Sequence, residues 1–171
     1  MKHALTLYHK GHYEEAITFL LNDFGKHEPR HTPPEHAPQA MALLARLYAN
    51  LGRLNDSLKW CQQAIAHDKV NAGYHFLQST IHQERGELDA AREALRRTLF
   101  LDQTFVIAHF AMGNVLRTAG KTVEARRHFT NALGLLNRHA KSDVLPESDG
   151  LTVARLKELV ESILGEMEGT L

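Results

Sequence analysis

The chain has 171 residues, enough for one ordinary domain with a sizeable core. Its 20 Lys+Arg balance its 20 Asp+Glu, so it lacks the positive surplus that general nucleic-acid binding draws on. A single cysteine, Cys61, excludes an internal disulfide and fits a reducing, cytoplasmic setting.

The first segment, residues 1–25, contains HKGHYEEAITFLLNDFG. A helix before Gly11 and an amphipathic helix after it are expected. The N-terminus has no uninterrupted apolar stretch of signal-peptide type. No run in the chain approaches the roughly 20 apolar residues of a membrane span. Residues 26–34 fall in KHEPRHTPPEHAP, whose prolines and histidines predict a long loop.

Three segments then follow that align without gaps: ANLGRLNDSLKWCQQAIAHD, QERGELDAAREALRRTLFLD and RTAGKTVEARRHFTNALGLL. Their glycines, Gly52, Gly86 and Gly120, stand at one constant spacing. On both sides the apolar residues recur at helical spacing: Leu43, Leu44 and Leu47 before Gly52, and Leu58, Cys61 and Ile65 after it. Each glycine stands where a left-handed residue would end the first helix of a pair. Repeats are expected over about 35–69, 71–103 and 105–139, with 1–25 as a weaker first copy.

Small residues recur as well. Five after each glycine comes Ala16, Ser57, Ala91 or Ala125; seven before it comes Ala4, Ala45, Ser79 or Gly113. Small side chains there let the helices of a pair approach closely. Nine after it comes a larger apolar residue, Leu20, Cys61, Leu95 or Phe129, to fill the core. The last segment opens with the breakers of LPESDG. It then places Leu156, Leu159, Val160, Ile163, Leu164 and Met167 on one helical face. A capping helix over about 150–167, N-capped by Ser148 or Asp149, would cover the apolar end of the array.

A helix–turn–helix with this period and these small, glycine and aromatic positions resembles the tetratricopeptide (TPR) repeat, whose unit is about 34 residues long. The resemblance covers residues 1–137. It implies an all-α, right-handed superhelical solenoid of about four repeats plus the capping helix, in a single domain. It departs from the family at two positions. The usual tryptophan is replaced by Met41, His75 and His109, which are expected to pack. The proline closing the second helix is replaced by Lys69, Gln103 and Asn137.

In that family the first helices of successive pairs line a groove for a peptide. Carried over, the groove set is Tyr8 in the first pair, Arg46 and Asn50 in the second, Phe76, Thr80 and Gln83 in the third, and Phe110, Asn114 and Arg117 in the fourth. The polar members suit peptide backbone or carboxylate, and the two phenylalanines an apolar anchor.

A second resemblance is narrower. LDQTFVIAHFAMGNVLRTAGKTVEARRHFTNALGLL followed by LPESDGLTVARL, and YHFLQSTIHQERGELDAAREALRRTLFLD before it, are similar to the C-terminal TPR region of CheR-type chemoreceptor methyltransferases. The similarity spans about residues 36–164. It implies a regulatory or localising module for an S-adenosylmethionine-dependent glutamate methyltransferase, with the chemoreceptor's cytoplasmic region or the enzyme's catalytic half as partner. The alternative is a free-standing TPR adaptor or assembly protein.

No catalytic residues, cofactor or metal are assigned to the chain itself. No Gly-rich turn follows a strand, and no nucleophile–base pattern stands out. His27, His31 and His36 cluster without a completing cysteine or carboxylate. The expected partner is a protein or peptide, with neither nucleic acid nor membrane insertion.

Overall fold

Each glycine turn closes in the same way, from one conformational requirement. Gly11, Gly52, Gly86 and Gly120 have φ of 77°, 70°, 74° and 73°, the left-handed region that a Cβ disfavours. With glycine there, the next amide reaches back over the helix end. His12 donates to the Leu7 carbonyl, Arg53 to Tyr48, Glu87 to His82 and Lys121 to Leu116, each at 2.9 Å. This Schellman closure satisfies carbonyls left over at a helix C-terminus. The following helix begins at once, with acidic side chains in its first turn (Glu14 and Glu15, Asp56, Asp89, Glu124) that complement its positive end.

The computed structural model describes residues 1–25, 36–148 and 150–168. The expected loop at 26–34, the histidines His27 and His31, and the cap candidate Asp149 lie outside the described residues. The helices among the described residues fall in two compact units, Met1–Glu87 and Leu88–Leu171.

The first unit holds α1 (Lys2–His9), α2 (Tyr13–Gly25), α3 (Ala37–Asn50), α4 (Leu54–His67) and α5 (Ala72–Glu84). The small positions pair as the spacing predicts. Ala4 and Ala16 are fully buried between α1 and α2, and the Ser57 hydroxyl donates to the Ala45 carbonyl at 2.7 Å between α3 and α4. Around them Leu20, Leu44 and Leu47 form one core cluster, and Cys61, Tyr74 and Ile81 belong to another. Phe24 stacks on Trp60, with ring centroids 5.8 Å apart. The third turn has a clamp of its own. Glu87 accepts from His82 Nδ1 at 2.6 Å and Arg85 Nε at 2.8 Å. The hydrogen bonds from His82 and Arg85 hold its carboxyl below the usual carboxylate range.

The second unit holds α6 (Leu88–Leu101), α7 (Val106–Thr118), α8 (Thr122–Leu136) and α9 (Val153–Glu168). Ala91, Leu95, Ala125 and Phe129 are buried, and the Phe129 ring lies where Gly113 leaves room for it. Between α8 and α9 the chain forms a narrow antiparallel link. Leu145 N–H donates to the Leu151 carbonyl at 3.0 Å and Val153 N–H to Asp143 at 2.9 Å, around a bridge between Val144 and Thr152.

That link corrects two expectations about α9. Ser148 does not cap the helix: its hydroxyl donates to the Leu145 carbonyl at 2.6 Å and accepts from Leu151 N–H at 3.0 Å, closing the turn. The cap is Thr152, whose Oγ1 accepts from Arg155 N–H at 3.4 Å. Leu159 is not part of the buried stripe. It is 46% exposed, whereas Val153, Leu156, Val160, Ile163 and Met167 are buried. The α9 helix packs on α8, and an Arg126–Glu168 pair joins them at the surface. At such exposure an ion pair adds little.

The turns offer a test with an internal control of opposite sign. Nothing stands within 4 Å of a Cβ added at Gly86 or at Gly165, a glycine inside α9. Gly86→Ala pays only for the left-handed backbone, about 1 kcal/mol. Gly165→Ala gains about 0.5 kcal/mol by restricting the unfolded chain. Urea midpoints should therefore move down for the first variant and up for the second.

Candidate functional site

In the first unit, α3 and α5 lie side by side, and both are first helices of their pairs. They place five of the expected groove residues. Arg46 is half-buried and Asn50 exposed on α3; Thr80 and Gln83 are half-buried on α5, while Phe76 is only 8% exposed. The donors are partly engaged. Thr80 Oγ1 donates to the Phe76 carbonyl at 3.2 Å, and Gln83 Nε2 to the Ser79 carbonyl at 3.4 Å. Phe76 leaves little of its ring open to a partner. Glu84, exposed at the end of α5, has its carboxyl pKa raised by partial desolvation. Tyr8, on α1, is half-buried and packed against His9 and Tyr13, with ring centroids 5.4 and 6.0 Å away.

Cys61 lies behind the α3 face. Its thiol donates to the Tyr74 carbonyl at 3.4 Å, and burial pushes its pKa up to about 12 against the opposing charge of Arg46. A thiol held neutral in this way packs and does not attack.

In the second unit α7 carries the rest of the set. Phe110 is half-buried with its ring 6.0 Å from that of Phe129; Asn114 is half-buried, and Arg117 is exposed near the helix end. Sequence spacing placed these residues on first helices correctly. It did not show how much of each side chain the neighbouring helices would cover.

The sequence reading missed a set of bonds that recurs with the repeat. His75 and His109, at the position where the repeat usually has tryptophan, are buried and make equivalent bonds one repeat apart. His75 Nε2 lies 3.0 Å from the Lys69 carbonyl and His109 Nε2 3.1 Å from the Gln103 carbonyl. A carbonyl only accepts, so each Nε2 carries the proton. The carbonyls belong to two of the three positions where the repeat usually has proline. Asp68 and Asp102 recur at the same spacing, accepting from Val70 and Thr104 N–H to shape the turn between pairs. The recurrence of both residue types at the repeat period was the available signal.

His109 also faces His128 of α8, with their Nδ1 atoms 3.1 Å apart. Since His109 Nε2–H is committed to Gln103, its Nδ1 accepts and His128 Nδ1–H donates. Burial lowers the pKa of both rings; the Gln103 hydrogen bond and Asp102 oppose this at His109, while at His128 His109 and Arg127 lower it further and Glu124 pulls the other way. The sign is then fixed. The unfolded rings take up protons near their ordinary 6.5 while the folded pair resists, so stability is full above that pH. It is lost as the pH falls from there through the depressed folded values. Thermal midpoints should drop from pH 7.5 to pH 5.5, and His128→Gln should flatten the drop. Among the described residues no group of three His, Cys, Asp or Glu side chains stands at metal-binding distance. No helix among them is long and apolar enough to cross a membrane.

Comparison with known proteins agrees with this architecture. Tetratricopeptide-repeat family models match residues 39–66 and 76–141. No curated protein matches the chain significantly. Among solved structures, the MamA protein is similar with a TM-score of 0.69 at 22% identity, over 84% of this chain and 75% of that one. The type III secretion chaperone SycD of Yersinia enterocolitica, in complex with a peptide of the translocator YopD, gives 0.67 at 17% identity, over 77% and 92%. A thermophilic TPR protein of Thermus thermophilus gives 0.65 at 19% identity, over 99% and 80%. At these identities the likeness is one of fold. Together with the repeat matches it shows an all-α chain built from tetratricopeptide repeats and a C-terminal helix. None of these matches carries a link to a chemoreceptor methyltransferase.

Proposed function

We propose that the chain is a protein–protein interaction module of the adaptor or assembly kind, which holds a peptide or protein segment against the first helices of its pairs. One observation carries the reading: α3 and α5 stand together in the first unit and carry the part-exposed Arg46, Asn50, Thr80 and Gln83, with Phe76 buried on α5. A guanidinium and amides on adjacent helices suit an extended segment, whose backbone and carboxylates they can bond. Phe110, Asn114 and Arg117 offer the same chemistry on α7. The SycD structure, which holds a peptide, supports this use of the fold.

The chain acts by binding and not by catalysis. The resemblance to CheR-type proteins would set the module beside a methyltransferase in chemotaxis-like signalling, in the cytoplasm. No observation favours that placement over the adaptor reading, which therefore leads. Methyl transfer by this chain alone, given S-adenosylmethionine and receptor, would contradict the non-enzymatic reading.

The binding test compares proteins captured from the source cell by the wild-type chain and by Arg46→Glu and Arg117→Glu variants. The charge reversals lie on first helices and should leave the helical content intact. Capture of the specific partner should fall by about tenfold or more in at least one variant. Equal capture by all three proteins places the partner elsewhere.

A further inference from the structure

Two adjoining clefts lie in the second unit between α6 and α8, with volumes of about 450 and 480 Å³. Leu99 and His128 line both and form their shared wall. Neither cleft belongs to the first-helix faces described above.

Cations outnumber the single carboxylate, Glu93, that lines them. Arg97 lines one cleft and Arg138 the other; both are exposed, and among the described residues neither enters an ion pair. Arg96 shares the first cleft and, among the described residues, meets only Glu93, at 3.3 Å, in a pair open to solvent on both sides. Such a pair is easily exchanged for another carboxylate. Beside these charges stands Phe100, 76% exposed, with the Arg97 guanidinium 5.7 Å from its ring centre. Large aromatics left this open beside a cleft gain by being covered. On the shared wall, the hydrogen-bonded His109 leaves His128 Nε2 as the pair's open position.

We propose that this α6–α8 cleft is a second docking site, which takes an acidic peptide segment bearing an apolar side chain. Carboxylates of the segment meet Arg97 and Arg138, and its apolar group covers Phe100 and Leu99. Charge complementarity selects this occupant: among the described residues the charged groups of the clefts left without an ion pair are the cations Arg97 and Arg138, and Leu99 lines both clefts. A nucleic acid fits less well, because the whole chain has no positive surplus and the cleft offers a single exposed aromatic for stacking. The site goes beyond the first-helix reading and stands or falls separately from it.

The probe is a fluorescein-labelled peptide of repeated glutamate pairs and leucine, titrated by anisotropy against the full chain at low and physiological salt. A control peptide with lysine in place of glutamate, and labelled oligouridylate, are titrated alongside. Saturable binding of the glutamate–leucine peptide that weakens with salt is expected. The Arg97→Glu/Arg138→Glu variant should lose about tenfold or more in affinity, Phe100→Ser should also lose, and Arg46→Glu should bind as wild type. All of the cleft substitutions are at exposed positions, and unchanged thermal midpoints would verify the fold. Four results would each overturn the proposal: no saturation by the glutamate–leucine peptide, undiminished binding by the double variant, equal binding of the lysine peptide, or tighter binding of oligouridylate. Loss in Arg46→Glu would move the peptide to the first-helix face and overturn it as well.

Discussion

Phe129→Ala should destabilise the chain by about 3–5 kcal/mol, the range for truncating a buried aromatic. Phe129 is fully buried on α8, and its ring fills the space left where α7 has a glycine. A Cβ added at Gly113 would sit 2.6 to 2.8 Å from three carbons of that ring, closer than carbon atoms tolerate. Because the ring has no exposed edge to retreat into, Gly113→Ala should itself cost about 1–3 kcal/mol. The two sites are one contact, so their effects should not add. Once Phe129 is alanine, a methyl at Gly113 enters the vacated space and its cost should shrink or reverse. Chemical denaturation of the two single variants and the double variant measures this coupling.

Leu156→Ala should cost about 2–5 kcal/mol, and Leu159→Ala no more than about 0.5 kcal/mol. Both leucines are on α9, three positions apart, and both fit the apolar stripe of its sequence. Only Leu156 is fully buried; Leu159 stands 46% exposed. The contrast separates burial against α8 from helix propensity, which is the same for the two. Equal losses would mean that α9 packs with a different face, and that the edge beginning at Thr152 is misplaced.

The turns and the core positions were legible because they are local and repeated. A glycine at a constant period, with small residues seven before it and five after, specifies where the helices end and where they touch. The structure places those glycines at positive φ and buries those small residues. Legibility ended where a contact depends on the path of the chain between elements. Ser148 looked like a helix cap because it precedes the apolar stripe. The Val144–Thr152 bridge delays the helix start to Val153 and hands the cap to Thr152. Leu159 is left 46% exposed although its spacing fits the stripe on α9, and no property of Leu159 itself announces this.

The candidate binding residues divide in the same way. Helix membership of Arg46, Asn50, Thr80, Gln83, Asn114 and Arg117 follows from their distance to the turn glycine. Their burial does not, since it depends on neighbouring helices, and Phe76 proves to be buried. The histidines were the least legible. His75 and His109 could be read as packing residues from the tryptophan position they occupy. Their bonds to the Lys69 and Gln103 carbonyls cross the turn between two pairs, a separation that no helical or strand period reports. The α6–α8 cleft is harder still to foresee, because it is bounded by second helices of two pairs and floored by the helix between them.

The central claim is that a partner engages the first helices of the pairs. Hydrogen exchange of the chain, alone and with its captured partner, tests it most directly. Slower exchange on binding is expected in α3 and α5 around Arg46, Asn50, Thr80 and Gln83, and in α7 around Asn114 and Arg117. Slower exchange confined to other helices, with α3, α5 and α7 unchanged, would contradict it.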